Sequence, residues 1–207
     1  MDTDAGALVS AAVRQTMRGG AKFTLACRIV VPGYDADDRY VGLVDFDHDR
    51  CRLDLLADPD PDLDSAAPLM VFAGPVSYLR QADGCWTWTR GAPGTHSTFD
   101  VHWSLEALVR ARRSAASTDE QTVEVSLDYE ALNAGTDIGF SPDWSDSTAV
   151  VELSPTHTIA RATLTHRSPG DPSAWMRYDF RISEQPSTVA IDLPAPEATI
   201  PLEHYRR

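Results

Sequence analysis

Apolar and polar positions alternate through most of this chain, with a period of two. In 22–31, Phe23, Leu25, Cys27, Ile29 and Val31 alternate with Lys22, Thr24, Ala26, Arg28 and Val30, the pattern of a half-buried strand. Pro32-Gly33 with Asp35, Asp37 and Asp38 reads as a turn, followed by strand patterns at 39–47 and 50–57 with a reversal at His48-Asp49. Strands follow at 69–74 and 76–81, parted by Pro75 alone, which predicts a bend or bulge. Ala82-Asp83-Gly84 predicts a hairpin turn into 85–90, where Trp86 and Trp88 share a face. Val123, Val125, Leu127 and Tyr129 mark another strand over 121–129. The last third, 150–194, holds four strand-like runs divided by Ser-Pro-Thr, Ser-Pro-Gly-Asp-Pro-Ser and Gln-Pro-Ser. None of these dividers can hold a crossover helix, so the runs predict an antiparallel meander.

Helical spacing appears twice. Leu8, Val9, Ala12, Val13 and Met17 form one face of a helix over 4–18, capped by Thr3 or Asp4 and stopped by Gly19-Gly20. A second helix lies within 101–115, with Ser104 as its cap and Leu105, Leu108 and Val109 facing inward. A short helix over 129–135 ends at Gly135. Runs of hairpin-linked strands exclude a βαβ architecture. The expected fold class is therefore α+β. It is one large curved antiparallel sheet, an unclosed half-barrel of about ten to eleven strands, with two or three helices on its concave face.

Length and charge narrow the reading. A chain of 207 residues forms one domain, 1–207. Its net charge of −13 repels phosphate backbones and anionic membranes, so no nucleic-acid partner is expected. Among its 18 basic residues only Lys22 is lysine. Cys27, Cys51 and Cys85 are odd in number and lack metal-ligand spacing, so they read as small apolar strand residues in a reduced compartment. No stretch has the character of a signal peptide, lipidated cysteine or transmembrane helix, which predicts a cytoplasmic protein without a membrane-spanning segment.

The chain carries no GxSxG, P-loop, GxGxxG or HExxH motif. Asp45, Asp47 and Asp49 suggest a calcium loop, but Arg50 and Leu56 stand where an EF-hand needs glycine and glutamate. Asp45 and Asp47 therefore read as the solvated face of a strand, and no metal or cofactor is expected. The acids at 58, 60, 62 and 64, set among prolines, read as a hydrated loop. Of His48, His96, His102, His157, His166 and His204, only His102 and His166 adjoin segments that suggest ligand contact.

The aromatic set is more informative. Curved sheets leave apolar side chains lining a concave cavity, and such cavities bind ligands. The residues expected to line one are Tyr40, Val44, Phe46, Phe72, Tyr78, Trp86, Trp88, His102, Trp103, Trp144, His166, Met176, Tyr178 and Phe180.

The opening helix, the GLVDFDHDRCRLDL block, SYLRQADGCWTW, SLDYEALNAG and ATLTHRSPGDPSAWMRYDFRISEQPSTVAIDLPAP occur in an order that resembles the LolA/LppX-like lipoprotein-carrier superfamily. That superfamily comprises outer-membrane lipoprotein carriers and actinobacterial glycolipid-carrying lipoproteins. The resemblance implies a half-barrel of about eleven strands around an apolar cavity. It also implies a hydrophobic small molecule or acyl chain as partner, held or transported. Family members are exported, whereas this sequence shows no export signal. Two functions are therefore expected in order: binding or sequestration of a hydrophobic or acylated molecule, then cofactor-independent cyclisation or isomerisation of a polyketide-like intermediate. Polar groups for the second are Tyr40, Tyr78, His102, Glu152, His166 and Tyr178. A module that binds a protein partner through the acidic surface ranks third.

Overall fold

The computed structural model describes residues 5–55, 69–92, 97, 99–133, 146–168 and 170–205. The strands are β1 (Gly20–Val31), β2 (Tyr34–Asp45), β3 (Arg50–Leu55), β4 (Leu69–Ala73), β5 (Val76–Arg80), β6 (Trp86–Arg90), β7 (Arg112–Ser117), β8 (Thr122–Leu127), β9 (Asp146–Leu153), β10 (Ile159–Arg167), β11 (Trp175–Glu184) and β12 (Thr199–Pro201). The helices are α1 (Ala5–Thr16), α2 (Val101–Arg110) and α3 (Tyr129–Asn133). All twelve strands join one open curved sheet in the order β12-β6-β5-β4-β3-β2-β1-β11-β10-β9-β8-β7. The α+β curved-sheet expectation holds, with two additions. The sequence pattern does not predict the strand at either edge, β7 or β12, and β12 pairs parallel to β6.

Strand register decides which side chains face the helices. Tyr178 lies opposite Cys27 and Leu164, and Phe180 opposite Leu25 and Ala162. Leu25 in turn faces Tyr40, and Val44 faces Cys51, which faces Phe72. Those residues form one apolar face, buried beneath the helices and the segment leading into α2. α1 packs on α2, β7 and β10, while α2 packs on α1, α3, β7 and β8. Thr16 is buried at the end of α1, and its Oγ1 accepts from the Ile159 N–H at 2.8 Å, fixing that helix to β10.

Several local expectations change. β2 reaches back to Tyr34, so Pro32-Gly33 alone makes the β1–β2 turn, and Asp35, Asp37 and Asp38 belong to the strand. Gly33 takes the positive φ of 81° that a two-residue hairpin needs. Gly74-Pro75 is likewise a tight hairpin turn between β4 and β5, not a bend in one strand. α2 is capped by Asp100, not Ser104, and Val109 faces outward. α2 ends at Arg110 because the backbone leaves helical geometry there, and 112–117 pairs with β8. Asp45 does not project into solvent. It is buried at the β2 end, where its carboxylate accepts from the His48 N–H at 3.2 Å and meets His48 Nδ1 at 2.8 Å.

The closing segment departs most from a simple meander. Its first three runs are β9, β10 and β11, but the fourth does not pair. Next to β11 the sheet position is already taken by β1. The chain therefore crosses the outer face. The Gly20 N–H donates to Pro186 O at 3.2 Å, and Arg50 Nη1 donates to Ile191 O at 3.0 Å. A Cβ on Gly20 would collide with Val189, so glycine is required where this strap passes over β1. The strap then reaches the β6 edge as β12.

Candidate functional site

The concave face has two unlike halves. Over β7–β11 it is filled. α2 has the sequence of an amphipathic helix, yet Val101, His102, Trp103, Ser104, Leu105, Ala107 and Leu108 are all buried, which makes it a central helix. Trp103 meets Tyr178 edge-on at 6.3 Å. Phe99, just before α2, contacts Tyr40 at 5.8 Å and Tyr178 at 6.2 Å. His166 lies 6.1 Å from the Tyr178 ring, and its Nδ1 is 2.9 Å from Ser147 Oγ. Burial lowers the His166 pKa to about 4. The Met176–Tyr178–Phe180 face is therefore core beneath a helix.

Over β4–β6 the same face opens into a pocket of about 210 Å³. Met70, Phe72, Ser77, Leu79 and Thr87 supply its sheet wall, and Ser97 and Leu202 its rim. Register explains the lining: Met70 faces Leu79, which faces Thr87, while Phe72 faces Ser77. Thr87 is 1% exposed and bonded, accepting from Gln81 Nε2 at 2.7 Å. Leu79, by contrast, is 37% exposed at the pocket.

A buried polar group lies between the halves. Asp100 caps α2 by accepting from the His102 N–H at 3.0 Å, and the same oxygen is 3.1 Å from His102 Nδ1. Asp49, from the β2–β3 turn, brings Oδ1 to 3.7 Å from His102 Nδ1. Asp49 takes a φ of 51° there, and its carbonyl accepts from the Gly74 N–H at 3.0 Å. Ligand atoms of Asp49, Asp100 and His102 all lie within 4.8 Å of one another, the one such group among the described residues able to hold a cation. Phe46 covers His102 edge-on at 5.0 Å.

The residues expected at the site divide accordingly. Tyr40, Val44, Phe46, Phe72, His102, Trp103, His166, Met176, Tyr178 and Phe180 come together on the concave side, nearly all in the packed core. Tyr78, Trp86 and Trp88 alternate out of the Phe72 and Thr87 face. Trp86 and Trp88 lie opposite Thr199 and Pro201, although Tyr78 and Trp88 also touch the pocket rim. Glu152 is on the outer face, paired with Arg161 at 3.2 Å. Trp144 and His96 lie outside the described residues. Asp49 enters the sequence reading through the predicted reversal and the calcium pattern, and Asp100, Leu79 and Met70 do not enter it as site residues. The Asp-x-His spacing of Asp100 and His102 is the signal that could have drawn attention to that pair.

The three cysteines are free. Burial drives the Cys27 thiol up to about 12 and the Cys51 thiol well above its usual range, so neither is a thiolate nucleophile at neutral pH. No helix among the described residues is long and apolar enough to cross a membrane.

No family model matches the chain, and no curated protein matches it. Among solved structures it is similar to LprF from Mycobacterium bovis, with 10% identity over 92% of this chain and 97% of that one and a TM-score of 0.52. An uncharacterized conserved protein from Thermus thermophilus aligns over 93% of this chain and 96% of its own at 6% identity and a TM-score of 0.49. The Mycobacterium tuberculosis lipoprotein LppX aligns over 90% and 98% at 13% identity and a TM-score of 0.43. The similarity to LprF is one of fold, and it supports the LolA/LppX-like fold expected from the sequence.

Proposed function

We propose that the protein binds a hydrophobic or acylated small molecule at the β4–β6 end of the concave face. The observation that carries this reading is the contrast between a sheet face filled by α2 at one end and open over Met70 and Leu79 at the other. Ligand pockets usually span ~300–1,000 Å³. A pocket of about 210 Å³ favours a short acyl chain or a single ring system over a long lipid. Native mass spectrometry of the purified protein should show a bound apolar species, and fluorescent fatty-acid probes of short chain should displace it. An empty protein that also ignores those probes would refute the reading.

Chemistry on the bound molecule is the second reading. It draws on the buried Asp100–His102 pair, in which a carboxylate orients an imidazole. The substrate class envisaged is a polyketide-like intermediate, handled without a cofactor inside the cell. Replacing His102 by Phe should then change the product profile while leaving probe affinity within about twofold. An unchanged profile leaves binding as the function.

A further inference from the structure

The outer face of the sheet carries a feature that ligand binding on the concave side does not use. Two adjoining depressions, of about 520 and 480 Å³, share Trp175 and Arg177. Together their walls hold Arg28, Arg39, Arg167, Arg177 and Arg181 against Asp37 and Asp179. Five arginines against two aspartates is an excess of three positive charges on a chain of net charge −13. Asp35 and Asp146 stand at the ends of this trough, across from Val30 and Arg167, and the local sign stays positive with both counted.

The arrangement opposes sheet stability. Arg28 lies directly across from Arg177, and Arg161 directly across from Arg181, and like charges opposed across a ladder destabilise it. Some of that repulsion is relieved. Asp179 holds Arg161 through Nε at 2.8 Å and lies 3.4 Å from Arg177, and Asp35 holds Arg28 at 3.2 Å. Burial pushes the Asp179 carboxyl up, but the hydrogen bond from Arg161 and the charges of Arg161, Arg177 and Arg181 outweigh it, so Asp179 stays ionised. Arg167 and Arg181 form no ion pair among the described residues. Both are exposed along the trough. Arg28 also lies 5.4 Å over the half-buried Trp175 ring, which leaves an indole surface beside the cations.

We infer that this arginine–tryptophan trough is a docking groove for an extended acidic segment of a partner protein. Guanidinium forks match carboxylates bidentately, and the five supply several such positions. A short peptide senses mainly charges within a Debye length of ~8 Å, and here the arginines outnumber the aspartates. A long nucleic acid or an anionic membrane extends past the trough and meets the acidic remainder of the surface, so charge disfavours both. The trough has depth and an aromatic wall, which suit a chain segment better than a planar surface.

A fluorescein-labelled peptide Glu-Glu-Leu-Glu-Glu-Leu-Glu-Glu, titrated with the full chain at about 150 mM salt, tests the assignment, because a Debye length of ~8 Å screens the acidic remainder of the surface while leaving contacts within the trough. Binding should weaken at least tenfold in the Arg167→Gln/Arg181→Gln double variant, and also on raising salt to about 1 M, where the Debye length falls to ~3 Å. A parallel titration of the short-chain fatty-acid probe should be unaffected by the double variant, which separates this groove from the concave pocket. The inference is overturned if the peptide does not bind at millimolar protein or if the double variant binds it as the parent does. Tighter binding of an uncharged Gln-for-Glu peptide, of oligothymidylate or of phosphatidylglycerol vesicles would overturn it as well.

Discussion

The two ends of the concave face are built from the same kind of strand and differ in what lies on them. Over β7–β11, α2 brings Trp103 against Tyr178, and the sheet residues below have no accessible surface to offer a ligand. Over β4–β6, Met70 and Leu79 present a similar apolar surface to a pocket whose floor is the buried Phe72. The lesson is that side-chain type does not separate core from site in such a sheet. Where the helix lands does. One half of the face stabilises the fold, and the other half is available to bind.

That division can be broken from the filled side first. Trp103→Ala removes the largest fully buried side chain among the described residues and should destabilise the protein by about 3–5 kcal/mol in chemical denaturation. A loss below about 1 kcal/mol would show that α2 does not bear on the sheet. Next comes His166, whose pKa is about 4 when folded and 6.5 when exposed. The unfolded chain therefore binds the proton more readily. His166 contributes to stability fully above about pH 6.5, and the contribution is lost as pH falls to about 4, amounting to at most about 3 kcal/mol. Denaturation midpoints across that window should flatten in His166→Gln, and an unchanged slope would place the titration elsewhere. Gly42→Ala tests the join between the halves. A Cβ there would run into the Phe23 ring, so a loss of about 1–3 kcal/mol is expected in thermal unfolding. The smallest effect on stability belongs to the open side. Leu79→Ser should change it by no more than about 0.5 kcal/mol. The same variant should weaken the fatty-acid probe about tenfold, as the loss of a buried leucine contact implies. A reversed pattern, with stability lost and affinity kept, would make Leu79 core.

Much of the sheet is legible in the residues because period-two alternation is a local property. β1, β8 and β11 can be read directly from it. β7 cannot, since Arg112-Arg113-Ser114-Ala115-Ala116-Ser117 carries no strong apolar stripe and becomes a strand only by pairing with β8. The strap reads as a fourth strand because STVAIDLP has strand composition, while the reason it stays unpaired is β1, some 160 residues earlier in the chain. The site is less legible for a related reason. Alternation groups Trp86 with Trp88 and Met176 with Tyr178, but it does not say which group faces the helices. Asp49 and Asp100 are far apart in sequence, and only the β2–β3 turn and the α2 cap bring them together.

The strap has one more consequence, for what the sheet does not do. An open sheet ends in strands with unsatisfied backbone groups, which are templates for pairing with another chain. β6, with Trp86 and Trp88, would be such a template. β12 covers it with three residues that run in the parallel direction and end in a proline lacking an N–H. The far border ends in β7, whose Arg112 is turned to Gly6 O and Ser10 Oγ of α1 and whose Arg113 binds Asp128. Growth of the sheet by adding another copy is thus discouraged at both borders. A chain cut after Glu184 would lose that protection on one side and should aggregate through β6.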